Sequence, residues 1–493
     1  MGIMKFIKKV LGLEDAKSSK PLEWMQDSGE HVHWLWCIPY GNNEAEVTSI
    51  RQHCDKYGKV YYDAPKVVIP EMTKGRWITV LGKGAVFGKE QVVLPNTLRI
   101  IKKDAFRESK FKTITLPNSL QVLEHGAFNT CWFLEKISLP NSLKTITGNP
   151  FIGCSQMNSI YVEPKHEVFA TIDGVLFHKH EKKLVSYPPR RNGSRYEIPQ
   201  GIRSIGVDAF GRCGMISEVF IPSSVEKVEG NPFVHCPCLR KIIVAEDNPY
   251  FTSINGVLYD KSATRLIAFP TNYYLPIGNV FAVPETVKVV GISAFEGIDK
   301  NLSIIIPEGL VEIEEKAFAG CQRLQSVRLP ASLIKIGEKA FSKIKGMQEI
   351  IIPENVKEIG FEAFAWAETL KHIEFRCSEV RLGEGIFALC YDLESVVLPM
   401  GWQKIPKRMF YRALKLKDIT IPTMLTCIDE YAFGSTSVGR LRIPDQVSFI
   451  GKKAFDQCPH LVFIARPDSY ADAYGKRHGI LTAAPDDVFW LDA

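Results

Sequence analysis

Apolar residues recur along this chain with two superimposed rhythms. The long rhythm is a phenylalanine, usually closing an Ala-Phe pair, at Phe295, Phe318, Phe341, Phe364, Phe387, Phe410, Phe433 and Phe455, with six intervals of 23 residues and one of 22. A period in this range marks a solenoid, in which each repeat buries its apolar face against its neighbours. The short rhythm is alternation. In Leu324-Gln-Ser-Val327-Arg-Leu329, Val327 and Leu329 alternate with Ser326 and Arg328, which predicts a short strand with one face inward. Pro330 ends that strand because it has no N–H to give. Leu333 and Ile336 then turn back into the core, and Gly337 permits a bend before Glu338-Lys-Ala-Phe341. That last segment is predicted as one short helical or 3₁₀ turn on the convex side.

The same frame runs through most of the chain, with a proline after the strand at Pro117, Pro140, Pro222, Pro307, Pro353, Pro399 and Pro422, among others. The fold class expected is an α/β solenoid, a right-handed leucine-rich repeat. It has one long parallel sheet on the concave face, short helical or 3₁₀ turns on the convex face and two β-hairpin inserts. Two residues after the proline, Ser119, Ser142, Ser224, Ser332 and Asn355 recur; their polar side chains are expected to satisfy turn backbone between repeats.

Two breaks interrupt the rhythm: 59 residues from Phe151 to Phe210 and 62 from Phe233 to Phe295. Both hold the same insert, with Asp173-Gly174 in the first and Asn255-Gly256 in the second between alternating apolar runs. Such dipeptides are strong hairpin turns. Each insert follows Gly-Asn-Pro-Phe, at 148–151 and 230–233, 82 residues apart, as if a larger unit had been duplicated.

The ends lack the repeat. His31 to Trp36 reads as a strand, Asn43 as the cap of a helix over Glu44 to Tyr57 stopped by Gly58, and Lys59 to Tyr62 as a further strand. Asp468 to Gly479 reads as a closing helix. The organisation expected is a basic tail or short helix over 1–20, a non-repeat cap over 21–65 and a solenoid over 66–465. Inserts fall at about 165–195 and 247–277, and a capping helix and tail cover 466–493.

Composition narrows function mainly by exclusion. The net charge of +6 from 61 basic and 55 acidic residues is too dilute over 493 residues to argue for nucleic acid. No apolar run is long enough for a transmembrane segment. Lys5, Lys8 and Lys9 break every candidate signal stretch at the N-terminus. Seven of twelve cysteines (131, 154, 213, 236, 321, 390 and 458) sit three residues after a repeat phenylalanine. Ser109, Ile344, Ala367 and Ala413 take that slot elsewhere, so the place is a small core position rather than a disulfide or metal ligand. These thiols and the absent signal favour the cytoplasm, with the cell surface or secretion as the alternative.

The pattern Ile352-Pro353, Val356, Ile359-Gly360, Ala363-Phe364, continued as in Cys321 and Leu324, resembles the BspA-like leucine-rich repeats, as do the hairpin insert and the Ser469 to Ala471 closing helix. The resemblance covers about residues 66–480. It implies a right-handed solenoid with a binding role, often as a surface protein that attaches to host proteins or other cells.

No phosphate loop, nucleophile elbow or zinc-protease helix is present, and no enzyme activity, cofactor or resident metal is expected. The His31/His33 pair marks a third and weaker reading, a small metal or catalytic site in the cap. The stronger candidate is the row of strand residues that face outward: Val93, Thr115, Ser138, Tyr161, Glu197, Phe220, Ile243, Ala282, Ile305, Arg328, Ile351, Glu374, Val397, Thr420 and Arg442. Its middle is apolar, and exposed apolar patches mark protein contacts. The candidate protein-binding residues are Tyr161, Phe220, Ile243, Ile305, Arg328 and Ile351. The function expected is a non-enzymatic protein-interaction module, with a cell-surface adhesin as the alternative; the partner is a protein of unknown identity.

Overall fold

The structure, a computed structural model, describes residues 22–27, 32–41, 43–51, 53–54, 60–61, 66–275 and 278–485. The chain divides into two compact units, Met1–Leu239 and Arg240–Ala493. Each is a β-solenoid of stacked parallel coils, almost wholly strand and turn. In the first unit one core cluster runs from Leu35 to Val185 and buried residues continue through Tyr187, Phe210 and Phe233; in the second a cluster runs from Val257 to Tyr474.

A coil of the second unit shows how the sequence folds. Leu324–Arg328 forms a long strand, Lys335–Ile336 a short one, and a turn carries Phe341 back into the core. The short strands stack in parallel from Arg265–Ala268 through Val289–Val290, Glu312–Ile313, Lys335–Ile336 and Glu358–Ile359 to Arg381–Leu382.

The turn is not the helix expected from Glu338-Lys-Ala-Phe. Residues two before and two after the ring residue take left-handed conformations, as at Lys339 (φ 54°) and Lys343 (φ 57°). A helix aims every N–H along its own axis. Here alternate N–H groups reach the next coil instead: Lys316 donates to the Glu338 carbonyl (2.9 Å), Phe318 to Ala340 (2.7 Å) and Gly320 to Ser342 (2.8 Å). Left-handed backbone costs an L-residue about 1–2 kcal/mol, which the bonds between coils offset. Gly360 also plays a different part from the bend expected of its slot. A Cβ there would lie 2.5 Å from the Glu338 backbone nitrogen, so successive coils approach too closely for any side chain.

The rings fill the interior. From Phe269 to Phe455 successive rings stack 4.9–6.1 Å apart with planes within 30° of one another. Beside them, the Cys321 thiol donates to the Phe295 carbonyl of the preceding coil (3.1 Å) and Cys390 to Phe364 (3.2 Å). In the first unit the Ser109 hydroxyl makes the same bond to Val86 (2.9 Å). A small donor, thiol or hydroxyl, therefore suits this slot. Burial pushes the Cys321 thiol up to about 12, which keeps its proton in place. The post-proline hydroxyls act likewise: Ser119 donates to Leu98 (2.7 Å) and Ser332 to Leu310 (2.7 Å).

Each insert proves to be one enlarged coil. Tyr187 and Phe269, 36 residues after Phe151 and Phe233, take the ring slot. Tyr187 stacks on Phe210 at 5.1 Å, and its N–H reaches Ala209 (2.8 Å). Phe269 stacks on Phe295 at 4.9 Å, and its N–H reaches Ala294 (2.9 Å). Within the inserts, Phe169–Ile172 pairs antiparallel with Val175–His178, and Phe251–Ile254 with Val257–Asp260. The Gly-Asn-Pro-Phe motif explains how the turn ladder stops beforehand. Phe151 N–H is taken by its own Asn149 Oδ1 (2.9 Å), and Phe233 N–H by Asn231 Oδ1 (2.8 Å). A side-chain oxygen thus stands where the next coil's carbonyl would be.

The N-terminal cap differs from expectation. Glu44–Arg51 is a strand, antiparallel to Val32–Tyr40 and parallel to Arg76–Leu81, and not a helix. The chain turns at Gly41, and the polar–apolar alternation from Glu44 to Val47 buries Ala45 and Val47. The β-branched Val47, Thr48 and Ile50 also suit a strand. Glu46, 7% exposed, is matched by the Lys102 ammonium at 2.6 Å. Val60–Tyr61 is a strand, paired with His53–Cys54. At the other end a helix spans Tyr470–His478 with Ser469 as N-cap and Gly479 at its close. Buried Asp472 anchors it, accepting from Asp468 N–H (3.0 Å), Lys476 (2.7 Å) and Thr482 (2.9 Å). The Lys476 ammonium above all holds this carboxyl below its ordinary range.

Candidate protein-binding face

Strand alternation alone decides which side chains of the apolar runs reach solvent. In Leu302–Ile305 the side chains of Leu302 and Ile304 point inward and Ile305 outward. In Glu349–Ile352, Ile350 and Ile352 point inward and Ile351 outward. Ile304-Ile-Ile and Ile350-Ile-Ile look uniform in composition, yet the pleat exposes one residue of each.

In the first unit, Tyr161 is 51% exposed on Ser159–Val162, in register with Ser138, and Phe220 is half-buried on Glu218–Ile221. The charge of Glu163 raises the Tyr161 hydroxyl's pKa, so the phenol stays protonated. In the second unit Ile243 is half-buried, Arg328 is exposed, and Ile305 and Ile351 are 58% and 41% exposed. The structure brings Ile305, Arg328 and Ile351 together along an open groove of about 1140 Å³.

The inserts leave these faces open. The Gly174 carbonyl accepts the Ile160 N–H (3.1 Å) and the Gly256 carbonyl the Ile242 N–H (2.8 Å). Each turn thus closes the edge of the neighbouring strand, in the place of a further ladder strand. The long sheet expected is broken at the inserts for that reason, and it is broken again between Leu324–Arg328 and Glu349–Ile352, where no insert lies. In the first unit Lys136–Leu139 with Ser159–Val162 forms one ladder, and Arg195–Glu197 with Glu218–Ile221 another.

Other candidates carry less. The His31/His33 pair lies outside the described side chains. The His178 and His180 rings stand 6.2 Å apart beside Glu181, with His178 half-buried against Phe169 at the end of its strand and His180 exposed. His372 Nδ1 and Ser395 Oγ lie 2.8 Å apart on adjacent strands, an exposed link between coils with no enclosing cleft. Among the described residues no three His, Cys, Asp or Glu side chains converge as a metal would require, and no helix is long and apolar enough to cross a membrane.

Two features escape the sequence pattern, one in the core and one on this face. The ring at Tyr187 is masked because it follows Ser186 and is a tyrosine rather than the Phe of an Ala-Phe pair, although it stands 23 residues before Phe210; Phe269 is masked because it follows Phe233 by 36 residues, outside the 22–23-residue period. The split in the sheet beside Arg328, described below, has only Gly346 as its signal.

Several solved structures are similar. A leucine-rich repeat protein from Eubacterium ventriosum is 21% identical over 70% of this chain and 82% of its own, with a TM-score of 0.46. The pneumococcal vaccine antigen PcpA is 18% identical over 94% and 99%, with a TM-score of 0.40. A leucine-rich cell surface protein from Faecalibacterium prausnitzii is 20% identical over 77% and 96%, with a TM-score of 0.38. No curated protein matches. The model of the BspA type leucine rich repeat region (6 copies) matches residues 88–188, 190–278, 273–390 and 346–462. With its coil anatomy and this match over most of its length, the chain belongs to the BspA-type leucine-rich repeat family.

Proposed function

We propose that this chain is a non-enzymatic protein-interaction module whose outward strand faces hold the partner. The observation that carries the reading is the exposure of Tyr161, Ile305 and Ile351, large apolar side chains displayed on rigid strands rather than turned into the core. Their strands are held from behind by buried neighbours, so a partner meets a surface already ordered, and a few such anchors supply most of the affinity of an interface. The cytoplasm is the proposed location. It is supported by the thiols at Cys321 and Cys390, which must stay reduced to donate to the preceding coil. The second reading, a surface adhesin on the same fold, is favoured by family membership; labelling intact cells from outside separates the two.

The test is affinity capture from the native cell with the wild-type chain and a Phe220→Asp/Ile305→Asp variant. Ile305 is exposed and Phe220 half-buried, so circular dichroism should match wild type, and the melting temperature should fall only by what the partial burial of Phe220 contributes. Capture of the partner should fall more than tenfold. Undiminished capture by the folded variant would remove the strand faces as the site.

A further inference from the structure

The groove over Ile305, Arg328 and Ile351 opens at a split in the sheet. Leu324–Arg328 pairs with Leu302–Ile305, and Glu349–Ile352 pairs with His372–Phe375. No ladder joins Leu324–Arg328 to Glu349–Ile352. The two coils still touch at Gly346, where a Cβ would lie 2.5 Å from the Leu324 carbonyl oxygen. They are also joined through the short strands Lys335–Ile336 and Glu358–Ile359 and through the turn bond from Phe341 to Ala363 (2.7 Å). Only the outward edge has parted, leaving backbone donors and acceptors of two strands without each other in the groove floor.

The rim is acidic. Glu285, Glu308 and Glu354 each follow the proline of their coil and form a row on one side; Glu349 stands on the other. All four are exposed. Glu308 accepts the Ala331 N–H at 3.1 Å. Two cations line the same groove, Arg328 and Arg376, and Arg376 is engaged by Glu374 at 2.8 Å. The groove thus offers two apolar seats, a row of carboxylates and one forked donor at the centre.

We infer that this groove takes an extended, lysine- or arginine-bearing segment of a partner protein, with apolar side chains on Ile305 and Ile351. The cations of the segment lie along the Glu285, Glu308 and Glu354 row, and the Arg328 guanidinium donates to its backbone carbonyls. Charge complementarity of this kind fixes register and speeds encounter. The inference rests on the protein-binding reading and adds the chemistry of the partner.

The probes are fluorescein-labelled Lys-Val-Lys-Val-Lys-Val-Lys-Val and its Glu-Val counterpart, titrated into the full chain and read by anisotropy. The lysine peptide should bind saturably and at least tenfold tighter than the glutamate peptide, and high salt should weaken it. Glu308→Lys/Glu354→Lys and, separately, Ile351→Asp should each weaken it at least tenfold, with Lys316→Ala unchanged. Circular dichroism and melting check that each variant folds. Equal binding of the two peptides, no saturable binding, or lysine-peptide binding indifferent to both groove variants would overturn the assignment. Native capture distinguishes the two levels. A partner lost by Phe220→Asp/Ile305→Asp but kept by Glu308→Lys/Glu354→Lys leaves the protein-binding reading standing and removes the acidic groove.

Discussion

Replacing Phe364 by alanine is expected to destabilise the second unit by about 3–5 kcal/mol, the range for deleting a buried aromatic side chain. The ring is fully buried. It stacks on Phe341 at 5.1 Å and 2°, and on Phe387 at 5.3 Å and 20°. Its removal therefore opens a cavity against two coils at once, and neither can close it, because backbone bonds hold both at fixed spacing: Phe341 N–H to Ala363 and Phe364 N–H to Ile386. Urea unfolding followed by circular dichroism and by tryptophan fluorescence measures the loss, and the two probes together reveal whether the array stops unfolding as one unit. Glu338→Ala, at the surface, should change stability by no more than about 0.5 kcal/mol. A loss under about 1 kcal/mol for Phe364→Ala would mean that the stack does not carry the core.

The second large effect lies at a pair of equivalent positions 82 residues apart. In the second insert Asn248 Oδ1 accepts both Tyr250 and Phe251 N–H at 2.8 Å. In the first, His166 Nδ1 accepts Val168 N–H (3.1 Å) and Phe169 N–H (3.2 Å), and the opposite ring nitrogen meets the Pro140 carbonyl at 3.2 Å. Asn248→Ala strands two donors, each at about 1–3 kcal/mol. His166→Asn should be tolerated, since asparagine already does this work at position 248.

His166 adds a pH dependence that Asn248 lacks. An acceptor at Nδ1 and a donor at Nε2 describe the neutral imidazole. Desolvation lowers the pKa of this ring and Lys179 adds to it, while the Pro140 carbonyl and Glu167 pull the other way. The folded state thus resists a proton that the unfolded chain accepts. Its contribution to stability is present above the ordinary histidine range near about 6.5 and is lost as pH falls through that range toward the folded value. His178, whose ring also meets Phe169, at 5.3 Å, is likewise depressed by burial and titrates in the same direction. The relevant quantity is therefore the difference between wild type and His166→Asn in melts from pH 7.5 to 5. A shallower acid slope in the variant is expected; identical slopes would place the titration elsewhere.

The coil was legible in the sequence because a ring at fixed spacing can have only one meaning over so many repeats. The turn was not, because Glu338-Lys-Ala-Phe consists of residues that tolerate helix well. What overrides that preference is the neighbouring coil, whose carbonyls collect alternate N–H groups and draw Lys339 and Lys343 into left-handed backbone. The Glu44 segment failed for the converse reason: an asparagine ahead of mixed polar and apolar residues signals a helix cap or a hairpin turn, and Val32–Tyr40 decides between them. The outward direction of Tyr161, Ile305 and Ile351 followed from alternation. The parting of the sheet beside Arg328 did not, because both coils keep the 23-residue period across it.

The most direct measurement is residue-resolved hydrogen exchange on the full chain. The ring amides Phe318, Phe341, Phe364, Phe387 and Phe410, each donating to the next coil, should exchange among the slowest. The amides of Leu324–Arg328 that face Glu349–Ile352, and not those paired with Leu302–Ile305, should exchange fast. Rapid exchange at the ring amides would contradict coils joined through their turns, and slow exchange at those Leu324–Arg328 amides that are not paired with Leu302–Ile305 would mean that the sheet is closed where the groove is placed.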